Sequence, residues 1–221
     1  MLSLYQPDVA LTDFLLALET IVLALVIIRL KKRYRLNIII FLFYISLALS
    51  SLIGGTVHGF FPQSGSLGNL ILWKATMVSL GLVTLFSWVI VGTIILPRYN
   101  RAILCLASLW FFLYSAYVIF VNSQFKIAIY NYIPATILFL ISLFYLYFKS
   151  KRHTILLGVI GILLTFLSSW IQQNKIDLHP VYFNHNATYH LIQMFALLFI
   201  FIAFKFILKS DQFSSYIEVK K

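Results

Sequence analysis

One cysteine and six acidic residues are all that this chain of 221 residues supplies. The lone thiol, Cys105, sits inside an apolar segment, so no intrachain disulfide can form and no cysteine-based metal site can be built within one chain. Charged residues make up 10% of the sequence against 62% hydrophobic, which leaves too little polar surface to coat a soluble domain. No heptad pattern, no 20–50-residue repeat and no symmetry between the halves is visible. No basic stripe alternates with aromatics either, which excludes a nucleic-acid partner. The opening MLSLYQPDVA carries one acid and no base, the wrong flank for a secretory signal, so the first apolar run is expected to be a retained span.

Long hydrophobic runs are what remain. Crossing ~30 Å of hydrocarbon takes about 20 apolar residues. Seven segments meet that length, at about 11–30, 36–61, 68–96, 102–121, 127–148, 154–172 and 187–208, separated by short polar breaks such as KKRYR, QSGSLGN, PRYNR and KSKRH. The expected fold is an all-α integral membrane protein, one seven-helix domain over residues 1–209 followed by a short polar tail over 210–221. Alternating the segments places Arg29, Lys31, Lys32, Arg33, Arg35, Arg98, Arg101, Lys149, Lys151, Arg152, Lys205, Lys209, Lys220 and Lys221 on one side. Lys126 and Lys175 fall on the other, and fourteen against two predicts an external N-terminus and a cytoplasmic C-terminus. The net charge of +11 then reflects topology and contact with anionic lipid headgroups. Tyr and Trp near span ends read as interface anchors.

Ionisable groups within a span are costly and mark function by default. Asp13 and Glu19 lie on helix 1, His58 in GGTVHGF at the end of helix 2, Lys74 in LWKAT on helix 3, and His185 and His190 in HNATYH at the start of helix 7. These six groups share one depth, on the side expected to be outside. His58, His185 and His190 could supply three imidazoles to Zn²⁺ with a fourth position left for water. His185 and His190 are five apart, about 140° round a helix, so they converge only if His185 precedes the first turn with Asn184 or Asn186 as cap. Asn186 and His190, four apart, share a face. The competing reading is a hydrogen-bonded polar network without metal, with Glu19 and Lys74 as a structural ion pair. Gly54, Gly55 and Gly59 fit close helix approach. His179 and His153 fall in loops.

A histidine on helix 2 with paired histidines at helix 7 resembles the superfamily of alkaline ceramidases and progestin/adipoQ receptors. Closer still, LTD at 11–13, GGTVHGF at 54–60, LWK at 72–74 and HNATYH at 185–190 look like a family of uncharacterised small bacterial seven-helix proteins, which would put the chain in a bacterial inner (cytoplasmic) membrane. The ceramidase-type resemblance implies a zinc held by His58, His185 and His190. It also implies hydrolysis of a lipid amide or ester, for which Glu19 or Asp13 is the candidate base and Lys74 an oxyanion partner. The alternative is a non-catalytic receptor for a lipid or small ligand, or a proton-coupled transporter using Glu19 and Lys74. A haem between the histidines of helices 2 and 7 is a third expectation.

Overall fold

The structure, a computed structural model, describes residues 4–30, 34–179 and 181–210. Among these residues seven α-helices form: α1 (Pro7–Ile28), α2 (Tyr34–Phe60), α3 (Leu67–Ile95), α4 (Asn100–Phe120), α5 (Phe125–Ser150), α6 (Thr154–Gln173) and α7 (His185–Lys209), with a 3₁₀ turn at Pro97–Tyr99 leading into α4. Each is long and apolar enough to cross a membrane. Within hydrocarbon every backbone polar group needs an internal partner, and the α-helix satisfies that requirement within a single segment. The sequence borders hold to within a few residues. The largest displacement is at α1, which begins at Pro7 because proline has no N–H to lose in a first turn. Most of the tail expected over 210–221, and Lys31–Arg33, lie outside the described residues.

Packing follows α1–α2–α3–α5–α6–α7 and back to α1, a ring of six helices. The fourth helix stays outside it, set principally against α3. Small residues control the close crossings. A Cβ on Gly55 would lie 2.9 Å from the Cβ of Asp13 and 3.0 Å from the ring of Phe14, so α2 can approach α1 only with glycine there.

One end of the bundle carries the N-terminal segment and the loops 61–66, 121–124 and 174–184; it is termed the site end. The opposite, basic end carries Arg29, Arg35, Arg98, Arg101, Lys149, Lys151, Arg152 and Lys209. Between the middle and the basic end the ring is filled by Ile27, Ile40, Phe43, Ile90, Leu146, Ile155, Phe204 and Ile207, all buried. Phe204 is the hub: it stacks on Phe139 at 5.4 Å and meets Phe43 and Tyr44 edge-on at 6.4 Å.

Candidate functional site

At the site end the packing changes character. A chamber of about 160 Å³ opens between α1, α2, α3 and α7, with Asp13, Ser50, Ser51, His58, Trp73 and His190 among its lining. The buried face of α1 recurs as Val9, Thr12, Asp13, Leu16, Ala17 and Thr20, the spacing of an inward helical stripe, and it carries Asp13 inside. Asp13 is 4% exposed and His190 8%. The Nε2 of His190 stands 3.2 Å from Oδ1 of Asp13, and its Nδ1 stands 3.1 Å from Oγ1 of Thr12. Thr12 has one hydroxyl proton and carbonyl acceptors at Asp8 (2.8 Å) and Val9 (3.0 Å). With that proton on a carbonyl, the Nδ1–H of His190 donates to Thr12. Nε2 and Asp13 are then left to share a single proton. The other carboxyl oxygen, Oδ2, lies at the α2 wall, where a Cβ on Gly54 would be 3.4 Å away.

His58 occupies the last turn of α2. Its Nδ1 is 2.7 Å from Oε1 of Gln6, an acceptor, so Nδ1 carries the proton and Nε2 keeps its lone pair. Trp73 meets the imidazole edge-on at 6.2 Å and is itself anchored by Nε1 donating to the Ser123 carbonyl at 2.7 Å. Buried serines and threonines on these helices mostly bond the carbonyl four residues back, as Thr76, Ser79, Ser87 and Thr93 do. Ser50 and Ser51 do not: both are buried on the chamber wall and neither has a hydrogen-bond partner among the described residues.

Below the chamber lies a smaller one of about 60 Å³ that shares Leu47, Leu80, Tyr189 and Gln193 with it. Most of its polar wall is occupied: Ser168 donates to Oε1 of Gln193 at 3.1 Å, and Nε2 of Gln193 donates to Thr165 at 3.3 Å, while the Tyr189 hydroxyl has no partner among the described residues. The hydroxyls of Tyr132 and Ser169 also bond each other. A larger apolar groove between α4 and α5 includes Trp88, Trp110 and Asn131; there the Trp110 indole donates to the Asn131 amide, which donates in turn to Thr84.

Of the six ionisable residues singled out from sequence, Asp13, His58 and His190 line the chamber. His185 does not. It is the first residue of α7, with Asn184 as the cap, and both its backbone N–H (2.6 Å) and its Nδ1 (3.0 Å) reach Oδ1 of Asp177 in the 174–184 loop. These bonds, the side-chain one foremost, hold the Asp177 carboxyl below the usual carboxylate range. Lys74 donates at 2.7 Å to the carbonyl of Ile119, in the last turn of α4, where a cation complements the negative helix end. Glu19 lies six residues deeper than Asp13 on α1, about 9 Å along the axis. Its Oε2 is buried without a hydrogen-bond partner, and no ion pair joins it to Lys74 among the described residues. Asn186 does share the chamber face with His190, as its spacing requires.

As placed, His58, His185 and His190 are not one donor set, and no three His, Cys, Asp or Glu side chains gather as metal ligands among the described residues. Both nitrogens of His190 already have protein partners, so the three-histidine zinc implied by the resemblance does not fit these positions. Thr12, Ser50, Tyr189 and Gln193 entered the site only with the structure. For Gln193 a signal existed, since it lies three residues after His190 and so on the same face. No curated protein and no solved structure matches the chain. A family model does, over residues 9–209: the chain belongs to DUF6962, a family of unknown function.

Proposed function

We propose that the chain is a multi-pass membrane protein that hydrolyses an amide or ester in the site-end chamber, with His58 as general base and the Asp13–His190 pair as general acid. The observation that supports this is two differently prepared titratable centres lining one chamber: an imidazole with an open lone pair, and a carboxyl–imidazole pair sharing a proton. In that reaction Nε2 of His58 takes a proton from water as its oxygen bonds to the carbonyl carbon. The leaving nitrogen or oxygen then takes the proton held between Asp13 and His190. Ser50 and Ser51 are placed to hold the substrate's polar group. The skew of basic residues to the far end supports an external chamber.

The test is hydrolysis of N-acyl amides and acyl esters by the protein in lipid nanodiscs. His58→Gln and Asp13→Asn should each lower kcat by about 10²–10⁴-fold with little change in KM. Wild-type protein that binds these compounds without turning them over would overturn catalysis in favour of a receptor. Activity abolished by a chelator and restored only by Zn²⁺ would replace the acid–base assignment with a metal site using the lone pair of His58.

A further inference from the structure

The chamber's charge inventory and the smaller chamber that shares Leu47, Leu80, Tyr189 and Gln193 with it bear on what it holds. Among the described residues that line the two chambers, Asp13, already set against His190, is the only carboxyl, and none is lysine or arginine. The nearest candidate on α3, Lys74, spends its ammonium on the carbonyl of Ile119. A phosphate, sulfate or carboxylate head would find no cation there, and anion sites built from side chains depend on Arg or Lys. The proton that Asp13 shares with His190 leaves that pair without net charge, so a cationic head finds no uncompensated counter-charge in the lining either. An uncharged head has partners waiting: the two unbonded hydroxyls of Ser50 and Ser51 and the open Nε2 of His58.

Size and depth complete the argument. A cavity of about 150 Å³ takes a ligand the size of benzene, and a water's share of liquid is about 30 Å³. The upper chamber, at about 160 Å³, therefore suits a small polar head, and the lower one, at about 60 Å³, only a few carbons. Phe43, Val83, Phe139, Ile162 and Leu197 give the lower chamber hydrocarbon walls. It ends on the buried Phe204 cluster, which stacks directly on Phe139.

We infer that the ligand of this site is an uncharged, short-chain amphiphile, its hydrogen-bonding head in the upper chamber beside Ser50, Ser51 and His58 and its chain in the lower one beside Val83. This rests on the upper chamber being the functional site, but not on its being catalytic.

The test uses 1-O-alkylglycerols, which present a neutral diol and cannot be hydrolysed, with chains of four to twelve carbons. Binding to the nanodisc-embedded protein is measured by calorimetry against free aqueous concentration. Affinity should rise by about fourfold per methylene while the chain fits, then fall. Val83→Phe should move that optimum to a shorter chain and Val83→Ala to a longer one. Replacing Ser50 and Ser51 by alanine together should weaken all lengths alike. Alkanoates or alkylamines of equal length binding more tightly would overturn neutrality. A length response that neither Val83 variant shifts would overturn the lower chamber as the chain site while leaving the upper one standing. Binding of the whole series unchanged by the double serine variant and by His58→Gln would overturn the site itself.

Discussion

The two halves of this bundle solve the same problem differently. In the basic half the ring interior is filled: aromatic and aliphatic side chains meet around Phe204, and the buried polar groups there are mostly tied to backbone carbonyls, although Oδ1 of Asn37 is buried without a partner. Asn37 donates to the carbonyls of Ile27 and Leu30, Tyr44 to that of Leu197, and Ser150 to that of Leu146. In the site half, polar groups face open space: the hydroxyls of Ser50, Ser51 and Tyr189 have no hydrogen-bond partner among the described residues, and Nε2 of His58 keeps its lone pair. Unsatisfied polar groups in hydrocarbon are costly. A fold that needed only stability would have closed the upper half as it closed the lower.

The comparison can be broken from either side. The largest stability change should come from the plug. Truncating Phe204 to alanine removes contacts with Phe139, Phe43 and Tyr44 at once. Phe→Ala in soluble cores costs about 3–5 kcal/mol. In a bilayer the unfolded reference is lipid-solvated and the transfer share drops out, so about 2 kcal/mol is expected here. Reversible unfolding in mixed micelles measures it. The same assay on Ser50→Ala should show no loss, since no bond is broken. If Phe204→Ala proved neutral and Ser50→Ala destabilising, the assignment of structure to one half and function to the other would be reversed.

Next in size is Gly55→Ala, at the crossing that brings Asp13 to the chamber. The added methyl meets the Asp13 Cβ at 2.9 Å and the Phe14 ring at 3.0 Å, so α1 must shift away from α2. Overpacking of this kind costs about 1–3 kcal/mol. It should also lower ligand binding out of proportion to stability, because the shift moves Asp13 relative to His190. A variant stable and fully active would mean that α1 is not held at this distance for function.

Much of this was legible in the sequence, for definite reasons. Twenty apolar residues in hydrocarbon have little choice but helix, so the seven elements follow from composition alone. Asp13, His58 and His190 stood out because ionisable groups at that depth need justification. His185 looked equivalent to His190, and only its phase, five residues along a helix, warned that it points elsewhere. Its actual partner, Asp177, comes from a loop whose conformation leaves no periodic trace. Lys74 was misleading for another reason: its acceptor is a main-chain carbonyl of α4, and a carbonyl has no letter in a sequence. Ser50 was invisible as a site residue, since a serine in a span usually bonds its own helix, and what lies opposite decides whether it does.

Lys74 gives a smaller effect. As a cap on α4 rather than a chemical group, it should tolerate Lys74→Arg. In Lys74→Met the Ile119 carbonyl loses a charge-assisted bond, and about 1 kcal/mol of local stability goes with it. Hydrogen exchange confined to the last turn of α4 would report this. Turnover or ligand binding falling by orders of magnitude would instead return Lys74 to the chemistry.

The smallest effect should be the pH response of the 174–184 loop. Asp177 accepts two bonds from His185, and the carboxyl is held below its ordinary range. A group whose folded pKa is depressed contributes while ionised and loses that contribution as the pH falls through the folded value. The ordinary value for Asp is about 3.9, so the clasp should be fully formed at neutral pH, unchanged down to about pH 5, and lost only below about 4. Both groups are solvent-accessible, at 25% and 33% side-chain exposure, so the contribution is screened and local. Amide exchange in the loop, corrected for the intrinsic pH dependence, should therefore stay flat and then rise at the acid end. Asp177→Ala should show the raised rate at every pH. Protection lost already at about pH 6 would contradict a carboxylate clasp, because no ordinary or depressed Asp takes up a proton there.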